Sequence, residues 1–262
     1  MSETEVKKPV EKIQESAQQV AKAETTSRPT RRYRTVLFQF MLIVTTGAFA
    51  VLTFLVKTTP SFPIDVAITR GLQTVKLPYF SEFMQLISWP GFPPQSYLLS
   101  LLVILIIYFL GLRWESVAAL VAAILPAVFS VFIKDLIQRP RPTIDLVDVF
   151  RILSSYSFPS GHVMFYVGFF GFLWFLAYTM LKKSWRRTAL LIMYGGLILL
   201  VGASRIYLGQ HWASDVLGAY LLGSLVLVAI IQFYRWGRQR FFVHQPVAPH
   251  DATPADEQAK PA

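Results

Sequence analysis

Long apolar stretches bounded by charged residues dominate the chain. Thr35 to Val56, Gln95 to Leu112, Ser116 to Ile133, Val163 to Leu181, Thr188 to Ser204 and Val216 to Tyr234 contain no Asp, Glu, Lys or Arg. A helix needs about 20 mostly apolar residues to cross a bilayer, and these stretches approach that length. The pattern predicts an all-α polytopic membrane protein, with six transmembrane helices in a bundle. Pro126 falls inside the third span, where neighbouring helices can satisfy the carbonyl it frees. Ser61 to Pro94 alternates apolar and polar residues and is broken by Pro60, Pro63, Pro78 and Pro90, which suits short helices lying at the outer interface. Residues 1–34, with a weak helical rhythm, and 241–262, rich in Pro and Ala, read as mobile cytoplasmic tails around a six-span unit at 35–240. No internal repeat is evident.

Composition narrows the class. Of 262 residues, 54% are hydrophobic and 15% charged, against about 45–50% and about 25% in soluble domains. With a mean hydropathy of +0.47, a disordered chain is excluded and a soluble enzyme disfavoured. The balance of 25 Lys and Arg against 15 Asp and Glu, a formal +10, would suggest nucleic acid in a soluble protein. Here it follows topology. The basic clusters before the first span, at Arg113, from Lys182 to Arg187 and from Arg235 to Arg240 share one side if the spans alternate. The positive-inside rule makes that side cytoplasmic, with both termini inside. The expected partner is the lipid bilayer, with no nucleic acid and no obligate protein partner. Ala48-Phe49-Ala50 loosely matches a signal cleavage site, but five glutamates precede it, so the first span reads as an uncleaved anchor. The absence of cysteine removes disulfides, thiolate metal sites and cysteine nucleophiles.

Several basic residues remain on the outer face, where membrane topology does not explain them. Three segments there hold most of the unexplained polar side chains. Lys134 ends the third span, and Pro140 and Pro142 force extended backbone, so Arg139 and Arg141 emerge into a loop. Snorkelling at a helix end would account for the charges but not for the prolines. In Ser157-Phe-Pro-Ser160-Gly161-His162, before the fourth span, free N–H groups at a helix start form a ready anion site. The plainer account makes Ser160 an N-cap. In Ser204-Arg205 to Asp215, between the fifth and sixth spans, His211 and Asp215 lie four apart. On one helix they would share a face, letting the carboxylate fix the imidazole tautomer. Two histidines and an aspartate could bind a transition metal. Yet Lys134, Arg141 and Arg205 on the same face would repel a cation and favour a multiply charged anion, for which guanidinium forks suit phosphate.

Lys134 with Arg141-Pro142, then Pro159-Ser160-Gly161-His162, then Ser204-Arg205 with His211 and Asp215 resemble the three-part signature of the type 2 phosphatidic acid phosphatase (PAP2) and vanadium haloperoxidase superfamily. All parts match in order and internal spacing, and the resemblance covers about Val36 to Tyr234. It implies a PAP2-type catalytic unit at 35–240 with its site at the outer helix ends. His211 would be the nucleophile that forms a phosphohistidine, Asp215 its orienting partner and His162 the general acid. Lys134, Arg141, Ser160, Gly161 and Arg205 would hold the phosphoryl oxygens, with no metal or cofactor. Arg139, outside the signature, is expected to tune the field rather than touch phosphate. The implied activity is hydrolysis of a membrane lipid phosphate, such as phosphatidate, phosphatidylglycerol phosphate or undecaprenyl diphosphate. The expected location is a bacterial inner membrane, with the site facing outward. A vanadate-dependent haloperoxidase, and a non-catalytic phospholipid binder or transporter, are the alternatives.

Overall fold

The computed structural model describes residues 28–242, and among them all regular structure is helical. Helix α1 spans Arg28–Thr58, α2 Pro63–Gln73, α3 Phe80–Ser88, α4 Gln95–Phe109 and α5 Arg113–Ile137. Helix α6 spans Gly161–Met180, α7 Trp185–Tyr207 and α8 Ala213–Phe242. Residues 28–34 and 241–242 of the expected tails are therefore helical, and the remainder of both tails lies outside the described residues. The chain divides into two compact units between Ala48 and Phe49, and helices α2 to α8 lie in the second.

Each expected span coincides with a helix, and the second is the shortest. At 15 residues, α4 rises only about 22 Å, short of a roughly 30 Å hydrocarbon core. It joins Phe80–Gly91 at a 59° bend, so among the described residues five helices are long and apolar enough to cross a membrane, or six if that broken pair counts as one. Gly111, with φ +83°, turns the chain after α4, before the predicted end at Leu112.

Helix α6 is the core of this unit. Val163, Met164, Tyr166, Phe169 and Phe172 are almost wholly buried, and an all-round apolar helix is stable only when surrounded. One π turn, Tyr166–Phe170, interrupts it. There Gly168 lies against the Pro126 ring of α5, which occupies the space a Cβ would need. The mid-helix proline is thus accommodated by a glycine on the adjacent helix. At the other end of the bundle Trp114 Nε1 donates to the Tyr234 carbonyl (2.9 Å) and the Tyr234 hydroxyl to Glu115 (2.9 Å), joining α5 to α8.

The segment expected at the interface forms α2 and α3. Pro63 starts α2 at a position where no N–H is required. Its buried stripe is polar, comprising Asp65, Thr69 and Gln73, whereas Ile64 and Ile68 are exposed. This reverses a soluble amphipathic helix and suits one whose outer face meets lipid. Gln73 donates to the carbonyls of Asp148 (2.8 Å) and Tyr207 (2.9 Å), tying α2 to the loops beside the third motif.

Candidate active site

The eight expected site residues converge at one end of α5, α6, α7 and α8. Lys134 lies in the last turn of α5, and its Nζ donates to the Tyr156 carbonyl at 2.6 Å. Arg141, in the following loop, donates through Nη1 to the Gln210 carbonyl (2.5 Å) and through Nε to the Ser155 carbonyl (2.6 Å). Its Nη1 also lies 3.2 Å from His211 Nε2. Because guanidinium only donates, that nitrogen is the acceptor, which puts the imidazole proton on Nδ1.

His211 and Asp215 do not share a helix. Asp215 occupies the first turn of α8, while His211 is in the loop before it. Gly209, with φ +62°, turns that loop so tightly that a Cβ would strike the Asp148 carbonyl, so only glycine suits the position. His211 Nδ1 faces Asp215 Oδ2 at 3.6 Å. That is an electrostatic contact rather than a hydrogen bond.

The Asp215 carboxylate is instead held by other donors. Arg139 Nη1 donates to Oδ1 (2.5 Å), while the Ser157 hydroxyl (2.5 Å) and the Trp212 N–H (2.9 Å) donate to Oδ2. Arg139 Nη2 donates to Asp65 (2.9 Å) and Nε to the Pro60 carbonyl (3.0 Å). Asp65 in turn accepts from the Ser214 N–H (2.8 Å) and hydroxyl (2.6 Å). Arg139, Asp65 and Asp215 are each at most 1% exposed. A buried guanidinium between two carboxylates is sustainable only with this saturation of donors and acceptors. Sequence reasoning missed Asp65 altogether, since an acidic residue in a first turn reads as a dipole complement. It is 74 residues from Arg139 and 149 from Ser214. In the sequence Ser157 marks only the start of the second motif.

The remaining site groups lack partners. Arg205 is fully buried, with one donation to Ser88 at 3.2 Å, and its Nε and Nη2 have none. Its guanidinium lies over the Phe92 ring at 5.0 Å. The Ser160 hydroxyl is at the N-cap position of α6 but makes no cap bond and is buried unpaired, as is His162 Nε2. The His162 ring packs edge-on against Phe92 at 4.4 Å. Around Gly161 a Cβ would meet only Ser130 Oγ at an ordinary 3.4 Å, so the space on that side of the start of α6 is open. Most buried polar groups in proteins find a partner, and an unpaired one costs about 1–3 kcal/mol, more when charged. A cluster of unpaired donors beside Lys134 and Arg141 has the chemistry to receive an anion. Among the described residues no group of three or more His, Asp or Glu is arranged to hold a metal ion.

Electrostatics fit the same description. Burial, then the charges of Arg141, Lys134 and Arg205, hold His211 well below its ordinary 6.5, so the imidazole is neutral at pH 7. Burial lowers Arg141 to about 10, partly offset by Asp215, and it stays cationic.

A family profile of the PAP2 superfamily matches residues 115–239. Phosphatidylglycerophosphatase B of Bacillus subtilis (strain 168) is 30% identical over 191 residues, covering 71% of this chain and 90% of that protein. The crystal structure of a transmembrane PAP2 type phosphatidylglycerolphosphate phosphatase from Bacillus subtilis superposes with a TM-score of 0.66 at 26% identity. It covers 74% of this chain and 96% of its own. The crystal structure of Aquifex aeolicus LpxE superposes with a TM-score of 0.54 at 22% identity, over 66% of this chain and 98% of its own, a likeness of fold.

Two predictions arise from this geometry. Arg139→Gln strands two buried carboxylates and should destabilise the protein by about 3–5 kcal/mol, with activity reduced more than in Arg139→Lys. Thermal denaturation in detergent and phosphate release measure this, and an unchanged midpoint would contradict it. His211, with its folded value below its unfolded one, contributes stability that is full above about pH 6.5 and is lost as pH falls below it. The denaturation midpoint of phosphate-free protein should therefore drop with acidification, and drop less steeply in His211→Gln.

Proposed function

The chain belongs to the PAP2 superfamily and is an integral membrane phosphoric ester hydrolase; on that premise we propose that it removes the terminal phosphate of a membrane lipid through a phosphohistidine at His211, without a metal ion. The observation that carries the proposal is the set of buried, unpaired groups on Arg205, Ser160 and His162. His162 and Arg205 lie close enough to His211 to feel one another's charge, and an anion would satisfy the unpaired groups.

The chemistry follows from the positions. A phosphate monoester settles among Lys134, Arg141, Arg205, Ser160 and the Gly161 N–H, and Arg141 turns from His211 Nε2 to the phosphoryl oxygens. The lone pair of Nε2 attacks phosphorus. The bond to the lipid oxygen breaks, its electron pair stays on that oxygen, and His162 supplies the proton. Asp215, pinned by Arg139, offsets the positive charge that the His211 ring acquires. Water then attacks the phosphohistidine while His162 accepts its proton, releasing phosphate and restoring neutral His211. Such transfer depends mainly on positioning and charge stabilisation, and a well-placed acid or base contributes roughly 10²–10⁴-fold.

Placement at helix ends favours a lipid, whose headgroup reaches the site while its chains stay in the bilayer. Phosphatidate, phosphatidylglycerol phosphate and undecaprenyl diphosphate are the candidate substrates, and the names of the Bacillus relatives favour the second. The basic clusters on the opposite side support cytoplasmic termini and a site on the outer face of a bacterial inner membrane.

Purified protein in detergent should release phosphate from at least one of these lipids. Activity should survive a chelator, be blocked by vanadate and fall by at least about 10³-fold in His211→Ala. Substantial activity in that variant would overturn the mechanism, and a strict requirement for Mg²⁺ would overturn the metal-free site.

A further inference from the structure

Beyond the signature residues, the outer loop carries one more cation aimed at the site. The Arg151 guanidinium lies over the Phe92 ring at 5.5 Å, the same ring that Arg205 covers at 5.0 Å and against which His162 packs at 4.4 Å. Arg151 is exposed, and among the described residues it has no carboxylate within ion-pair distance. It lines a pocket of about 340 Å³ together with Arg141, Gln210, Asp145, Ile152 and Leu153. That volume is at the small end of ligand sites, suited to a headgroup rather than a chain.

Arg141 is shared between this pocket and the nucleophile, since its Nη1 is 3.2 Å from His211 Nε2. The pocket therefore begins where the reacting phosphoryl group would sit. In-line displacement places the leaving oxygen opposite His211, and in the mechanism proposed above that oxygen takes its proton from His162, whose ring packs against the phenylalanine that Arg151 covers. The lining has two guanidinium groups and one carboxylate, Asp145, so its net charge favours an anion. Gln210 adds a buried amide oxygen without a partner, able to accept from a hydroxyl. Ile152, at the mouth, is exposed and apolar, as a rim facing lipid would be.

We propose that Arg151 and this pocket form a subsite for a second phosphoryl group on the substrate, so that Arg151 sets the preference for lipids with two phosphoryl groups over phosphatidate, which has one. The inference rests on the phosphatase reading above and deepens it. Two lipid chemistries present such a group. A diphosphate joins it directly to the reacting phosphate, and phosphatidylglycerol phosphate carries it as a phosphodiester one glycerol away.

The test measures kcat/KM for phosphatidate, phosphatidylglycerol phosphate and undecaprenyl diphosphate with the full chain in detergent, for wild type, Arg151→Gln and Arg151→Lys. The ratio of two-phosphoryl to one-phosphoryl substrates should fall about fivefold in Arg151→Gln at low salt, as expected for a solvent-exposed ion pair. It should largely persist in Arg151→Lys, and the difference should shrink in high salt. Inhibition by inorganic pyrophosphate relative to inorganic phosphate should weaken in parallel. A fall confined to the diphosphate supports a directly joined group, and one confined to phosphatidylglycerol phosphate supports the phosphodiester. A wild type that hydrolyses these lipids with a ratio unaltered by Arg151→Gln overturns the subsite and leaves the phosphatase reading standing. A wild type that hydrolyses none of them overturns both.

Discussion

A single buried guanidinium, that of Arg139, joins three parts of the chain that meet beside His211. It reaches Asp215 in the first turn of α8, Asp65 in the first turn of α2 and the Pro60 carbonyl ahead of α2. In a low-dielectric interior a carboxylate without such partners would be expensive. With them, both Asp215 oxygens are committed as acceptors. That arrangement ties the Ser157 hydroxyl and the Trp212 backbone to one carboxylate beside His211. It also explains why a lipid-facing helix carries a polar stripe on its buried face, since α2 serves to fasten the loops of the site.

The same interior is left incomplete on its other side. Arg205, Ser160 and His162 keep buried groups without partners, while the Asp215 carboxylate accepts from three donors. The contrast separates scaffold from receptor. Arg139, Asp65 and Asp215 are saturated, whereas Arg205, Ser160 and His162 keep capacity that an anion could complete. Neutral His211 lies between the two sets, facing Asp215 through Nδ1 and the prospective phosphorus through Nε2. The cations that discourage its protonation also attract a phosphate.

Much of this was legible in the chain. The uncharged stretches located every spanning helix, because a bilayer imposes length and apolarity on each one separately. The second was the exception. Its hydropathy was evident, but the bend between Phe80–Gly91 and α4 arises from packing between segments. The signature residues were legible because short spacings at helix ends bring them to one face. Asp65 and the pinning of Asp215 by Arg139 were not, since their contacts span 74 and 76 residues and no local pattern marks them. Phe92 was likewise read as part of an interfacial stretch, although its ring lies among Arg151, Arg205 and His162.

The account stands most directly on the identity of the nucleophile. Lipid substrate carrying a labelled terminal phosphate, mixed with enzyme, quenched in alkali at the shortest accessible times and mapped by peptide, reports which side chain takes the phosphoryl group. The account predicts an alkali-stable, acid-labile label on His211. A label on another side chain, Ser160 included, or turnover with no covalent label at the earliest times, would contradict it.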